Sequence, residues 1–352
     1  MSTNAAVLVP GPVIQFDDFP TDFAWSPDSR ALVVGGGEGH LAQVDVKSGA
    51  VTQLGMHGPG VLAVGWQPKG ETLVTAGQDG TVRLWKPAGA GAAGGDDEAM
   101  AQGRAVHKAL HWPIGLCCRS DGKRFAFISG RDVLVFDMSG ECQVALKGHG
   151  RPLSQLAWRG RDELIATGNG TLFVDRTDNG GRVTEFLLEG TPMTLALSPD
   201  LKVAASGLSD GTINFRYLNS QKRSRMSGYE GKVHLTAWSA NSRYLASGST
   251  GATAIVVWDF GGRGPEGSEP LQLDVHEERI ESLAWQEAGP LLVSAGRDWR
   301  VVLWRPGTAT RRPLDIQLLD GPAGMTCWSP DGKRLAVAQP SGKLRIFSLR
   351  SA

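Results

Sequence analysis

The chain has 352 residues, and 36 lysines and arginines offset 36 aspartates and glutamates, for a formal net charge of zero. That balance argues against a dedicated nucleic-acid or membrane-surface protein, while leaving local patches open. Glycine is 47 of 352, about twice the usual share, and it is spread along the chain as many short turns require.

At the N-terminus, residues 1–16 carry no basic region and no long apolar core, so no signal peptide is expected. No run of about 18 apolar residues marks a transmembrane helix. The cysteines Cys117, Cys118, Cys142 and Cys327 match no zinc or disulfide spacing, and a reducing cytoplasm is the simplest expected compartment.

In chain order, apolar strands end on Trp25, Trp66, Cys118, Trp158, Leu197, Trp238, Trp285 and Trp328. Successive anchors are 41, 52, 40, 39, 41, 47 and 43 residues apart. Each anchor runs into a short turn, such as SPDS (26–29), RSDG (119–122), SANS (239–242) or SPDG (329–332), and then into a second apolar strand. Strand, tight turn and strand make a hairpin, and hairpins at this interval predict radial repetition rather than a sandwich. Residues 73–85, LVTAGQDGTVRLW, are the clearest second hairpin of a repeat: two strands of β-branched and aromatic residues around an Asp-Gly turn. Residues 203–215 and 291–304 repeat that pattern.

The chain resembles the WD40 family of β-propellers over nearly its whole length. The repeat interval carries the resemblance, together with Gly148-His149 at a repeat start, Trp258-Asp259 at a repeat end, and the near-matches Trp85-Lys86 and Trp304-Arg305. The resemblance implies a hydrogen-bonded tetrad of His, Ser or Thr, Asp and Trp in a well-formed repeat. Two sets are complete by spacing: His57, Thr75, Asp79, Trp85, and His276, Ser294, Asp298, Trp304. The other six repeats are degraded, with Val44 and Arg216 at the Trp position of the first and fifth, and with His149 and Thr167 as half a tetrad in the fourth. A hydrolase triad is the rival reading of His, Ser and Asp. Recurrence at repeat spacing favours polar satisfaction between strands instead.

Eight anchors predict an all-β, eight-bladed WD40-type propeller. Residues 11–16 would complete the last blade by pairing beside residues 344–348. Seven blades plus an irregular segment is the alternative, since the first repeat lacks every tetrad member. The expected organisation is a tail over 1–10 and a single domain over 11–352. Flexible Gly-rich inserts are expected at 87–103 and 261–270.

No Walker loop, HExxH motif or paired-cysteine motif is present, so no cofactor, metal or catalytic residue is expected. The residues 35–40 read as a strand-to-strand turn, His40 as a strand residue, and the basic run 221–225 as a solvated turn. Trp299 lies where other repeats place the turn glycine (Gly80, Gly211), and Trp112 lies in the connection leading into the third repeat. The resemblance places such connections on one face, where aromatic and Arg side chains are the composition of a binding hot spot. The candidate partner-binding residues are therefore Gln78, Trp112, Arg151, Lys232, Arg279, Arg297 and Trp299. The implied function is a non-catalytic scaffold, a monomeric propeller by default, that recognises a protein or peptide and neither nucleic acid nor membrane. The alternative is a propeller enzyme, or a small-ligand or metal-binding protein, acting at a central channel.

Overall fold

A computed structural model describes residues 6–87, 103–262, 264–308 and 311–351. Among these residues there is no helix, and the strands pair into eight four-stranded blades, the all-β architecture of an eight-bladed propeller. Residues 20–56 form a complete first blade despite lacking every tetrad member, which removes the seven-blade alternative. The chain divides into two compact units, Ile14–Glu189, and Met1–Val13 with Gly190–Ala352.

The Ile14–Glu189 unit holds four blades over residues 20–56, 61–108, 113–146 and 153–187. The second blade shows why these residues form strands. Leu73–Gly77 and Thr81–Trp85 pair antiparallel with Leu73 opposite Trp85 and Thr75 opposite Arg83. The turn between them needs a left-handed residue, which Gly80 supplies at φ 78°. The Asp79 carboxylate steadies that turn by accepting the Thr81 N–H at 2.9 Å. One face of the hairpin, Val74, Ala76, Val82 and Leu84, packs on Phe125, Phe127 and Phe136 of the third blade. The three phenylalanine rings lie 5.6–6.5 Å apart. Each such fully buried side chain contributes about 1.5–3 kcal/mol, and neither blade could bury these faces alone.

The other unit holds blades over 196–226, 233–273 and 280–318, and a last blade that joins residues 325–351 to the N-terminal strand, of which residues 6–13 belong to this unit. There the strand Ala6–Gln15 lies beside Lys343–Ser351, so the N-terminal strand begins at Ala6 rather than at residue 11. The reason is apolar: Ala6 and Leu8 sink into a core with Leu303, Leu335, Val337 and Phe347. The Leu8 N–H also donates to Asp315 at 2.8 Å.

The anchor tryptophans stitch successive blades. Trp66 donates its indole N–H to the Ala24 carbonyl at 3.2 Å, and Trp158 does the same to Cys117 at 3.1 Å. In the other unit Trp238, Trp285 and Trp328 donate to Ala196, Ala237 and Ala284. Each acceptor is the residue just before the preceding anchor, so the indole N–H is satisfied at each of these five steps. The turns that follow are closed by side chains: the Ser26 hydroxyl donates to Asp28 at 2.6 Å and accepts the Ala31 N–H at 2.9 Å. Ser329 and Asp331 repeat the first of these bonds.

Within the second insert, residues 264–270 carry a polar clamp. Glu266 accepts hydrogen bonds from Tyr217 at 2.8 Å and Ser224 at 2.5 Å, and pairs with Lys222 at 2.9 Å. The basic run 221–225 is thereby partly neutralised, with Arg225 also paired to Asp210 at 2.7 Å. The other insert differs: residues 88–102 lie outside the described residues. One expectation is corrected: His149 does not meet Thr167, and its geometry follows below.

Candidate functional site

Both complete tetrads are assembled. His57 Nε2 lies 2.7 Å from the Thr75 hydroxyl and Nδ1 lies 3.1 Å from Asp79, while the Trp85 indole donates to Thr75 at 2.7 Å. His276 stands 2.7 Å from Ser294 and 3.0 Å from Asp298, and Trp304 donates to Ser294 at 2.9 Å. Burial lowers the imidazole pKa of both His57 and His276, against the opposing pull of Asp79 and Asp298, so both rings are neutral near pH 7. Burial would raise Asp79, but bonds from the Thr81 hydroxyl and N–H and from His57 outweigh it and hold the carboxyl below its usual range. His57, Thr75 and Ser294 are shut off from solvent. No substrate carbonyl reaches these hydroxyls, so the sets satisfy buried polar groups and do not present a nucleophile.

Two further networks escaped the sequence reading. Tyr229 takes the histidine's place in the sixth blade: its hydroxyl meets Ser247 at 2.7 Å and accepts the Trp258 indole N–H at 2.7 Å. In the fourth blade, the tight turn at Asn169-Gly170 sets Gly168 opposite Thr171. His149 Nε2 instead reaches Asp175 on the following strand at 2.8 Å, and Nδ1 meets the Arg131 carbonyl at 2.8 Å. The 18-residue interval from Tyr229 to Ser247, equal to that from His57 to Thr75, was the available signal for the first. Nothing in the spacing marked Asp175.

Exposed candidates divide between the units. In the Ile14–Glu189 unit, Trp112 is 59% exposed, and Leu110, which the sequence reading passed over, is 99% exposed. Gln78 is half-buried against Gly60, and Arg151 reaches only the Asn169 carbonyl at 3.4 Å. Burial lowers the pKa of His107, which packs on Phe127 and Phe136.

In the other unit a cavity of about 530 Å³ is lined by Glu278, Glu281, Arg297, Trp299, Pro322, Ala323, Gly324 and Pro340. Arg297 and Trp299 thus come together, and Arg279 joins them through Glu281, which pairs with both arginines. Lys232 is exposed but does not line this cavity. Trp299 is the unusual member. It holds φ at 66°, the left-handed region, and is 51% exposed. A bulky side chain there costs about 1–3 kcal/mol, and such strain gathers at ligand sites. The backbone keeps it in place: the Trp299 carbonyl accepts the Leu319 N–H at 2.9 Å. The sequence marked Trp299 by its offset from Gly80 but gave no hint of Glu278 or the prolines, which come from other connections. Among the described residues no cluster of three or more His, Cys, Asp or Glu could hold a metal ion.

The chain is similar to known proteins in its repeats. A family model described as WD domain, G-beta repeat matches residues 50–86 and 267–305, the two stretches that carry the complete tetrads. THO complex subunit 3 of Arabidopsis thaliana is 31% identical over 146 residues, 41% of this chain and 44% of that protein. Protein HIR1 of Mycosarcoma maydis is 27% identical over 140 residues, 35% of this chain and 13% of its own length. The beta subunit of the guanine nucleotide-binding protein of Oryza sativa subsp. japonica is 25% identical over 276 residues, 72% of this chain and 70% of that protein. The chain thus spans less than half the length of the THO relative and a small part of HIR1.

Proposed function

The chain belongs to the WD40-repeat family, and from that premise we propose that it is a non-catalytic platform that docks a protein or peptide at the cavity beside Trp299. The carrying observation is a half-exposed tryptophan held at φ 66° where a glycine would sit without strain. A rigid aromatic beside an arginine is the kind of anchor that dominates protein recognition. Two of the relatives are named as subunits of larger assemblies, which supports the same reading.

The test is capture of partners from the native host by the wild-type chain, Trp299→Gly and Arg297→Glu. Partners bound by the wild type should be lost or much reduced with both variants at unchanged melting temperature. Full capture by Trp299→Gly would move the working surface elsewhere, Leu110 and Trp112 being the next to examine. The compartment we propose is the cytoplasm. All four cysteines are free, and burial pushes the Cys118 thiol up to about 12, which suits unreactive reduced thiols. A fluorescent fusion of the chain reads the compartment directly.

A further inference from the structure

Within the docking reading, on which this step rests, the cavity beside Trp299 also says what kind of side chain it takes. The cations around it are committed. Arg279 and Arg297 both pair with Glu281, Arg300 pairs with Glu277 at 2.5 Å, and Lys343 pairs with Asp320 at 2.5 Å. The acids are committed too, with one exception. Among the described residues, Glu278 lines the cavity, is exposed, and has no ion-pair or hydrogen-bond partner for its carboxylate.

The rest of the lining is apolar: the Trp299 ring, Pro322, Ala323 and Pro340. An apolar wall with one free carboxylate matches a long side chain with an aliphatic stem and a cationic head. We propose that the cavity receives a lysine or arginine side chain of a basic partner segment, its stem against Trp299 and the prolines and its head at Glu278. Tryptophan is the best aromatic partner for such a cation, and the contact strengthens as water leaves. An acidic partner meets an unpaired carboxylate that repels it, and arginines already drawn to the one carboxylate of Glu281. The left-handed backbone at Trp299 fits this role. It keeps a large ring at a tight turn, where glycine would relieve the strain but leave no wall.

The experiment uses the full chain and fluorescein-labelled Gly-Ser peptides of equal length carrying three lysines, three glutamates or no charge. The lysine peptide should bind, its affinity should fall with added salt, and Glu278→Gln and Trp299→Gly should each weaken it by about tenfold. Trp299→Gly should also melt no lower than the wild type, which separates a lost wall from a damaged fold, and Glu278→Lys should reverse the order of the two charged peptides. Equal or tighter binding of the glutamate or neutral peptide, still dependent on Trp299, would overturn the charge assignment and leave the docking reading standing. Lysine-peptide binding indifferent to both substitutions would overturn the site. No binding of any peptide would overturn this inference, and the capture experiment with Trp299→Gly would then decide the docking reading separately.

Discussion

The Tyr229 hydroxyl meets the Ser247 hydroxyl at 2.7 Å across 18 residues, the interval that also separates His57 from Thr75 and His276 from Ser294. A phenol has replaced an imidazole and keeps the bond to the central hydroxyl, because the position needs only a polar group long enough to reach it. The Trp258 indole then donates to the phenol at 2.7 Å rather than to the serine. Burial raises the Tyr229 pKa to about 12, so the group stays a neutral donor and acceptor.

From this circuit Tyr229→Phe should cost about 1–3 kcal/mol, since it strands the Trp258 N–H in a dry setting, while the Ser247 hydroxyl keeps its bond to the Val256 carbonyl. Tyr229→His should recover part of that loss. By comparison Trp85→Ala and Trp304→Ala should each cost about 3–5 kcal/mol, the range for truncating a buried aromatic. Urea unfolding midpoints of these variants measure all four effects, and a neutral Tyr229→Phe would show the circuit to be energetically idle.

The architecture was legible because a repeat imposes the same physical demand at each step. A tryptophan at Trp66, Trp158, Trp238, Trp285 or Trp328 serves to reach the preceding blade, and its recurrence revealed the period. Where Cys118 and Leu197 replace the ring, the flanking turn alone kept the register. Less legible were contacts made between repeats. The clamp at Glu266 joins residues 42 and 49 positions apart, and the cavity beside Trp299 draws on connections whose sequences share no pattern. His149 misled because the change lay in turn length, which redirects an imidazole without altering the residues at the repeat positions. In the fifth repeat Arg216 stands at the Trp place, and among the described residues the buried Ser206 hydroxyl finds no partner.

Acid sensitivity follows from the buried histidines, with a sign that can be worked out. His57 and His276 have pKa values below the 6.5 of the unfolded chain, because burial disfavours the imidazolium. The unfolded chain therefore binds more protons, and their contribution is complete above about pH 6.5 and is lost as pH falls below it. Asp22 opposes this. Burial raises it to about 6 despite hydrogen bonds from the Val64 and Phe23 N–H groups, so it takes up a proton in the folded state before the unfolded value of 3.8 is reached. Its effect is stabilising at low pH and fades as pH rises through about 6. The wild-type unfolding midpoint should thus decline between about pH 6.5 and 5, and Asp22→Asn should steepen that decline. A midpoint independent of pH across this window would contradict the neutral-imidazole assignment.

The clamp on residues 261–270 makes a separate prediction. Burial alone would raise Glu266, but bonds from Ser224, Lys222 and Tyr217 outweigh it and hold the carboxyl at about 2. Its contribution is present above the unfolded value of 4.5 and is lost as pH falls toward about 2. The carboxylate is partly exposed and screened, so Glu266→Gln should cost only about 0.5–1 kcal/mol in global stability. Local opening should change more: limited proteolysis within 261–270 should accelerate in the variant while cleavage elsewhere does not. Equal cleavage rates would mean that other contacts hold this segment.

The N-terminal strand gives the most decisive test of the last blade. Ala6–Gln15 is its outermost strand, beside Lys343–Ser351, and places Ala6, Leu8 and Ile14 in buried positions. Removing residues 1–15 would strip the hydrogen-bonding partner from Lys343–Ser351, leave an exposed sheet edge, and open the core around Phe347 to water. Leu8→Ala alone should cost about 2–5 kcal/mol, the range for a fully buried leucine whose site cannot collapse. The truncation should cost more than that point change, because it removes backbone pairing as well as apolar burial, and it should bring concentration-dependent association through the bared edge. Thermal unfolding and light scattering read the two consequences independently. If the truncated chain melted with the wild type and stayed monodisperse, the strand would be an ornament on a blade already complete with three strands.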